Sequence, residues 1–324
     1  MPSVKVVFLT STKERGEFTK RLAPPDFEVV LVDNNLSDAE KIPLCKDADA
    51  IITVPADVST EILAHCPKVK LIQTLSAGYD RLDVKAIGEM GIPIANNGGA
   101  NAIAVAEQTI ALMISVSKRM MLQWHNAAKE RRWREGLTGL HLEEVTGKTV
   151  GIVGLGRVGK QVAKRLKGFD TRTIYYDIVE MPPAVEQELN AQPVPFEELL
   201  RQSDIVTLHV PLARRTRGMI GERELAMMKP TAVLINACRG PVVNERALYR
   251  ALRAGRIAGA GLDVLEEEPT PADNPLFQLD NVVITPHMAG WSDETNLRAA
   301  EFAFSNIRRV LAGQPPESLV TPED

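Results

Sequence analysis

Short apolar runs alternate with amphipathic segments along most of the chain. Through the first hundred residues this pattern predicts strands at 4–9 (VKVVFL), 28–32 (EVVLV), 50–54 (AIITV), 70–74 (KLIQT) and 92–95 (IPIA). Helices are expected between them, near 13–22, 37–46, 58–65 and 83–90. Such alternation implies a mostly parallel sheet covered on both faces. The pattern changes at Asn101. Residues 101–121 (NAIAVAEQTIALMISVSKRMM) are apolar almost all round, so this helix is expected to be buried on most sides. Asn101 can cap it, although Ala104 rather than Glu sits at the third helical position. A more polar stretch, 123–136, follows.

At Thr149 the alternation restarts. Strands are predicted at 149–153, 172–176, 204–208, 231–236, 258–263 and 282–284, with helices at 157–168, 196–202, 222–228 and 244–254. Residues 179–196, rich in proline, read as a loop with one helical turn. A last long helix spans 292–312 and stops at Gly313. There is no internal repeat and no low-complexity linker. The expected arrangement is one α/β domain interrupted by another, with 1–100 and 291–324 forming the first and 101–290 the second.

Composition narrows the class. The chain has 324 residues, enough for two cores, with 44% hydrophobic and 25% charged residues, as in a folded globular protein. Its net charge of −4 offers no electrostatic footprint for nucleic acid or an anionic membrane. The basic stretch 129–135 (KERRWRE) therefore reads as a solvated helix face or a subunit contact. Cys45, Cys66 and Cys238 fit neither a disulfide framework nor a metal site, and read as reduced thiols. The first apolar run is too short for a secretory signal, and no stretch approaches the roughly 20 apolar residues of a membrane helix. The cytoplasm is the expected location.

Two features carry chemistry. The first is Gly154-Leu155-Gly156-Arg157-Val158-Gly159, between an apolar strand and an amphipathic helix. Gly154 permits a tight turn, Gly156 lets the backbone approach a pyrophosphate, and Gly159 lets helix and strand pack closely. The helix N-terminus then offers free N–H groups to phosphate. The next strand ends in Asp177, 18 residues after Gly159 (177 − 159). A carboxylate there accepts hydrogen bonds from adenine-ribose hydroxyls and repels a 2′-phosphate, which favours NAD over NADP.

The second feature is three polar residues at three strand ends. The strand in AVLINACRGPVV (232–243) runs into Arg239, that in AGAGLDVLEEEPTP (258–271) into Glu268, and that in VVITPHMAG (282–290) into His287. Each alone has a plainer reading: a solvated arginine, a solvent-facing acidic loop, a structural histidine. Together they lie at the sheet edge where doubly wound folds bind ligands. Arginine suits a carboxylate, histidine exchanges the proton of a hydroxyl becoming a carbonyl, and a carboxylate beside it orients the ring.

On these residues the chain resembles the D-isomer-specific 2-hydroxyacid dehydrogenases over nearly its whole length. The resemblance rests on VGIVGLGRVG (150–159), SDIVTLHVPLARRTRGMI (203–220), LINACRGPVVNERAL (234–248), GAGLDVLEEEP (259–269) and VVITPHMAG (282–290). It implies a Rossmann NAD-binding domain inserted in a flavodoxin-like substrate domain, both doubly wound. It implies catalysis by Arg239, Glu268 and His287, with the substrate carboxylate on Arg239 and on the backbone at Ser76, Ala77 and Gly78 in the loop 75–83. The implied NAD contacts are Thr109, Gly154, Leu155, Gly156, Arg157, Val158, Gly159, Asp177, His209, Val210, Pro211, Thr216, Ala237, Cys238, Asp263, His287, Ala289 and Gly290. Asp263 would accept from the nicotinamide carboxamide, and no metal is implied.

The implied reaction interconverts a D-2-hydroxy acid and its 2-keto acid, as in a glyoxylate or hydroxypyruvate reductase. A short phosphoglycerate dehydrogenase, or an NAD(H)-sensing corepressor-like protein, is the alternative. The 101–136 region resembles the family's dimer contact. Trp291 departs from the small polar residues common at its position, which leaves the side-chain preference of the substrate pocket open.

Overall fold

Why do two sheets form rather than one? Each block of strand–helix alternation closes on its own apolar faces. The computed structural model describes residues 4–55 and 57–322. The chain divides into two units, Met1–Asn101 with Trp291–Asp324, and Ala102–Gly290.

The first unit holds five parallel strands: β1 (Val4–Thr10), β2 (Phe27–Asp33), β3 (Ala50–Val54), β4 (Ile72–Thr74) and β5 (Ile94–Ala95). Their order, β2-β1-β3-β4-β5, is that of flavodoxin-like folds. The long helix Asp293–Leu311 returns to this sheet. Ala299, Ala300, Ala303, Phe304 and Ile307 form one stripe at helical spacing and pack with Val6, Phe8, Phe27, Val29 and Ile52. The helix starts where Ser292 Oγ accepts from the Thr295 N–H at 3.0 Å.

The second unit holds seven parallel strands: β6 (Thr149–Val153), β7 (Arg172–Tyr176), β8 (Ala191–Pro193), β9 (Ile205–Leu208), β10 (Val233–Asn236), β11 (Gly259–Leu262) and β12 (Val282–Ile284). Their order is β12-β11-β10-β9-β6-β7-β8, the dinucleotide-binding Rossmann order with one strand added. The chain reverses its direction of winding between β6 and β9, so the ligand crevice of such a sheet opens past the ends of those two strands. The helix Ala102–Ser117 lies on β10 and β11, burying Leu112, Met113 and Val116. It can approach because β11 has glycines: a Cβ at Gly261 would fall 2.9 Å from that of Leu112.

Two expectations fail locally. Residues 179–196 are more than a loop, since they contain the helix Pro183–Leu189 and the edge strand β8. The prolines hid both: Pro183 sits in the first helical turn, and Pro193 is tolerated because β8 pairs on one side only. The apolar helix from Asn101 ends at Ser117 rather than 121. Arg119 adopts a left-handed conformation (φ 50°) and its guanidinium donates to the carbonyls of Asp280 and Ala258. A separate short helix, Met120–Trp124, follows. Among the described residues no helix is long and apolar enough to cross a membrane.

Candidate active site

Past β6 the glycine loop folds on itself and leaves one side open. Gly154 has φ +94°, and a Cβ at Gly159 would fall 2.1 Å from the Gly154 carbonyl oxygen. A Cβ at Gly156 would meet nothing within 4 Å. The helix Arg157–Leu166 starts at that open point, and the N–H groups of its first turn have no intrahelical partners. An open backbone cradle under a positive helix end fits a dinucleotide's pyrophosphate. Asp177 is fixed beside it: Oδ2 accepts from the Leu155 N–H at 2.7 Å and Oδ1 from the Val179 N–H at 2.9 Å.

His209, Val210 and Pro211 follow β9 on the other side of the reversal. The His209 carbonyl oxygen packs so closely that a Cβ on Gly154 would lie 2.5 Å from it. The His209 ring bonds to Thr207 Oγ1 through Nε2 at 2.9 Å, while buried Nδ1 has no partner among the described residues. Burial pushes its pKa down to about 3, so the ring is neutral. Thr216 closes the following loop, donating to the Pro211 carbonyl at 2.6 Å and accepting from the Ala213 N–H at 2.8 Å. Thr109 is buried and donates within its own helix, to the Val105 carbonyl at 2.7 Å.

The three polar residues of the strand ends come together in this same unit. The loops after β10 and β11 touch at Gly240, where a Cβ would fall 1.7 Å from the Leu265 carbonyl oxygen. His287 Nδ1 lies 2.6 Å from Glu268 Oε2. Glu268 Oε1 accepts from the Leu265 N–H at 3.1 Å. Burial works to raise the Glu268 pKa, but the hydrogen bond and charge of His287, the Leu265 N–H and the charge of Arg239 outweigh it and hold the carboxyl below its usual range. Arg239 donates from Nη1 to the Cys238 carbonyl at 2.7 Å. Asn236 secures the turn, with Nδ2 donating to the Arg239 carbonyl and Oδ1 accepting from the Cys238 N–H and thiol. Burial pushes the Cys238 thiol up, so it stays protonated.

His287 has φ +54°, a conformation that side chains other than glycine rarely adopt. Asp263, 1% exposed, holds it there. The His287 N–H donates to the Asp263 carbonyl at 2.7 Å. The Asp263 carboxylate accepts from Thr285 Oγ1 at 2.5 Å, the Met288 N–H at 3.0 Å and the Ala289 N–H at 2.9 Å. Gln108 in turn donates to Thr285 Oγ1 at 3.2 Å. Ala237 and Ala289 pack together with Val105, against Val158 of the glycine loop, and Gly290 follows half-buried. Sequence reasoning missed the supporting residues Asn236, Thr285 and Gln108. A strand-end polar residue between apolar neighbours is a weak signal that could have marked Asn236, and nothing marked the other two.

In the first unit the loop after β4 has its carbonyls occupied. That of Ser76 accepts from Thr74 Oγ1 and the Asn97 N–H, that of Ala77 from Asn96 Nδ2, and that of Gly78 from Ser76 Oγ. The N–H groups of Ser76, Ala77 and Gly78 have no acceptor among the described residues. Such a row of donors suits an anion. Also in this unit, the Arg15 guanidinium lies 5.6 Å from the centroid of the exposed Trp291 ring.

Comparison with known proteins decides the family. Residues 110–289 match the D-isomer specific 2-hydroxyacid dehydrogenase, NAD binding domain. The chain is 40% identical over 304 residues to a glyoxylate reductase of Korarchaeum cryptofilum, covering 93% of this chain and 88% of that one. The protein belongs to the D-isomer-specific 2-hydroxyacid dehydrogenases. Solved members of similar fold include a glyoxylate reductase from Paecilomyes thermophila (30% identity, TM-score 0.83, 99% of each chain covered). Another is the NAD-complexed D-isomer specific 2-hydroxyacid dehydrogenase of Lactobacillus delbrueckii ssp. bulgaricus (25% identity, TM-score 0.81, covering 98% of this chain and 100% of that one). Like the family, this dehydrogenase is an NAD-dependent oxidoreductase acting between 2-hydroxy and 2-keto acids.

Proposed function

We propose that the protein reduces a small 2-keto acid, glyoxylate first among candidates, to its D-2-hydroxy acid. The observation that carries this is the His287–Glu268 pair at 2.6 Å on the sheet edge that bears the glycine loop. With Nδ1 committed to Glu268, the ring has Nε2 left for a substrate oxygen. Protonated His287 donates its Nε2 proton to the carbonyl oxygen as the carbon is reduced, and takes it back in the reverse direction. Glu268 holds the ring's orientation and stabilises its charge. Arg239 would hold the substrate carboxylate, and the N–H groups of Ser76, Ala77 and Gly78 in the first unit are assigned to the same kind of anion. NADH supplies the hydride when bound.

Gly154 to Gly159, Asp177, the His209–Thr216 loop, Thr109, Ala237, Cys238, Asp263, Ala289 and Gly290 would hold that cofactor. Asp177 carries the preference for NAD, since its charge opposes a 2′-phosphate. Within this reading the first unit is the substrate domain and the second the cofactor domain. Met120, Met121, Trp124 and Trp133, all within residues 101–136, are exposed, and large exposed apolar side chains are interface candidates. We assign them to a homodimer contact, which sedimentation of the Trp124→Glu variant as a monomer would support. Three free thiols accord with a cytoplasmic home.

The decisive experiment follows NADH absorbance with a panel of 2-keto acids: glyoxylate, hydroxypyruvate, its phosphate, and bulkier acids. Turnover fastest with glyoxylate supports the proposal. Clear NADH binding with no turnover on any acid would reveal a sensor instead.

A further inference from the structure

The loop that carries Val210, Pro211 and Thr216 also carries Arg214, Arg215 and Arg217, and no acidic residue stands between His209 and Gly221. All three arginines are exposed. Among the described residues none of them makes a side-chain hydrogen bond or an ion pair. Three other arginines of the same unit are matched, Arg165 with Glu107, Arg201 with Glu197 and Arg250 with Glu222. The loop's backbone is nonetheless fixed. Thr216 ties it to Pro211 and Ala213, and the N–H groups of Gly218 and Ile220 donate to the carbonyls of Pro241 and Val242 at 2.8 and 3.2 Å. It therefore runs along the crevice edge from Gly154 to the segment just beyond Arg239. Arg157 stands exposed at the start of the neighbouring helix.

A cluster of unneutralised cations in a chain of net charge −4 is a local feature, not an overspill of a basic protein. The cofactor that enters this crevice carries a doubly anionic diphosphate. Exposed, hydrated arginines contribute little to a formed complex, because water and salt screen each ion pair at the surface. Their summed potential instead acts over about a Debye length, roughly 10 Å at 0.1 M salt, on a ligand still in solution. We propose that Arg214, Arg215 and Arg217 form a cationic rim that captures the dinucleotide by its diphosphate. The rim sets the rate of cofactor association and does not choose between NAD and NADP. This rests on the glycine loop being the cofactor site, which equilibrium binding of NADH to the parent protein tests separately.

The test is stopped-flow binding of NADH and, in parallel, of NADPH, read by quenching of tryptophan fluorescence, at ionic strengths from low to high. In the triple variant R214Q/R215Q/R217Q the association rate should fall about tenfold at low ionic strength. Its dissociation rate should change little, and the two proteins should converge in high salt. The single variant R215Q should show a proportionate part, which guards against misfolding of the triple. The variant K164Q/K167Q/R172Q has the same change in net charge, at the opposite end of helix Arg157–Leu166 and the start of β7, and should associate at the parent's rate. Equal slowing in that control would assign the effect to net charge and overturn the proposal. An unchanged salt slope in the rim variant would overturn it too. So would a loss confined to NADPH, which would make the cluster a 2′-phosphate reader.

Discussion

In the proposed reaction the proton transfer falls to His287, whose backbone and ring are held by different groups. Asp263 pins the backbone in the left-handed turn, and Glu268 fixes the ring. Replacing the ring should therefore leave the turn standing: His287→Ala is expected to lower turnover by about 10²–10⁴-fold, the usual worth of general acid–base catalysis. NADH binding should persist, and steady-state rates beside equilibrium binding check both halves. His209 supplies a pH-dependent prediction. Its ring stays neutral in the fold down to about pH 3, whereas in the unfolded chain it takes up a proton below its ordinary value of 6.5. Between those limits the unfolded state binds the extra proton, so acidification removes stability, by about 1.4 kcal/mol per pH unit for one group. In His209→Gln that slope should flatten, as urea midpoints measured from pH 7 to pH 4 would reveal. At this scale the grouping of Arg239, Glu268 and His287 was legible because each is a polar residue at the end of an apolar run. Asp263's task as a clamp was not legible, because hydrogen bonds to N–H groups 25 and 26 residues away leave no mark on the sequence.

Among the elements, strands read well and breaks read badly. The glycine loop, β6, β7 and β12 follow from apolar runs with clear ends, since period and punctuation agree there. The helix from Asn101 was overextended because its apolar pattern continues past the point where Arg119 turns the chain to reach the carbonyls of Asp280 and Ala258. Helix Pro183–Leu189 and β8 were lost under prolines that an edge strand and a first helical turn both tolerate. The close contact between the loops after β10 and β11 was equally invisible. Gly240 is where the Arg239 loop lies against the carbonyl of Leu265. Gly240→Ala must push those loops apart. It should destabilise by about 1–3 kcal/mol, the usual penalty of overpacking, and weaken catalysis by moving Arg239 relative to Glu268. Chemical denaturation and kcat measured on the same variant would reveal both, and an unchanged kcat would show that the loops move together.

For the whole molecule, parallel sheets and an inserted domain were expected from alternation, interruption and return, whereas the strand orders were implied only by the family resemblance. The two units differ in how far their cores depend on distant chain. The second unit is one continuous segment, Ala102–Gly290. The first unit is not: Ala299, Ala303, Phe304 and Ile307 pack with Val6, Phe8 and Phe27. This has a consequence during synthesis. The residues made first must wait for the residues made last, while the middle of the polypeptide can mature as soon as it leaves the ribosome. A chain stopped after Gly290 should thus hold a protease-resistant fragment covering the middle and an N-terminal part that is digested or clumps, an inversion of the usual order in which nascent proteins take shape.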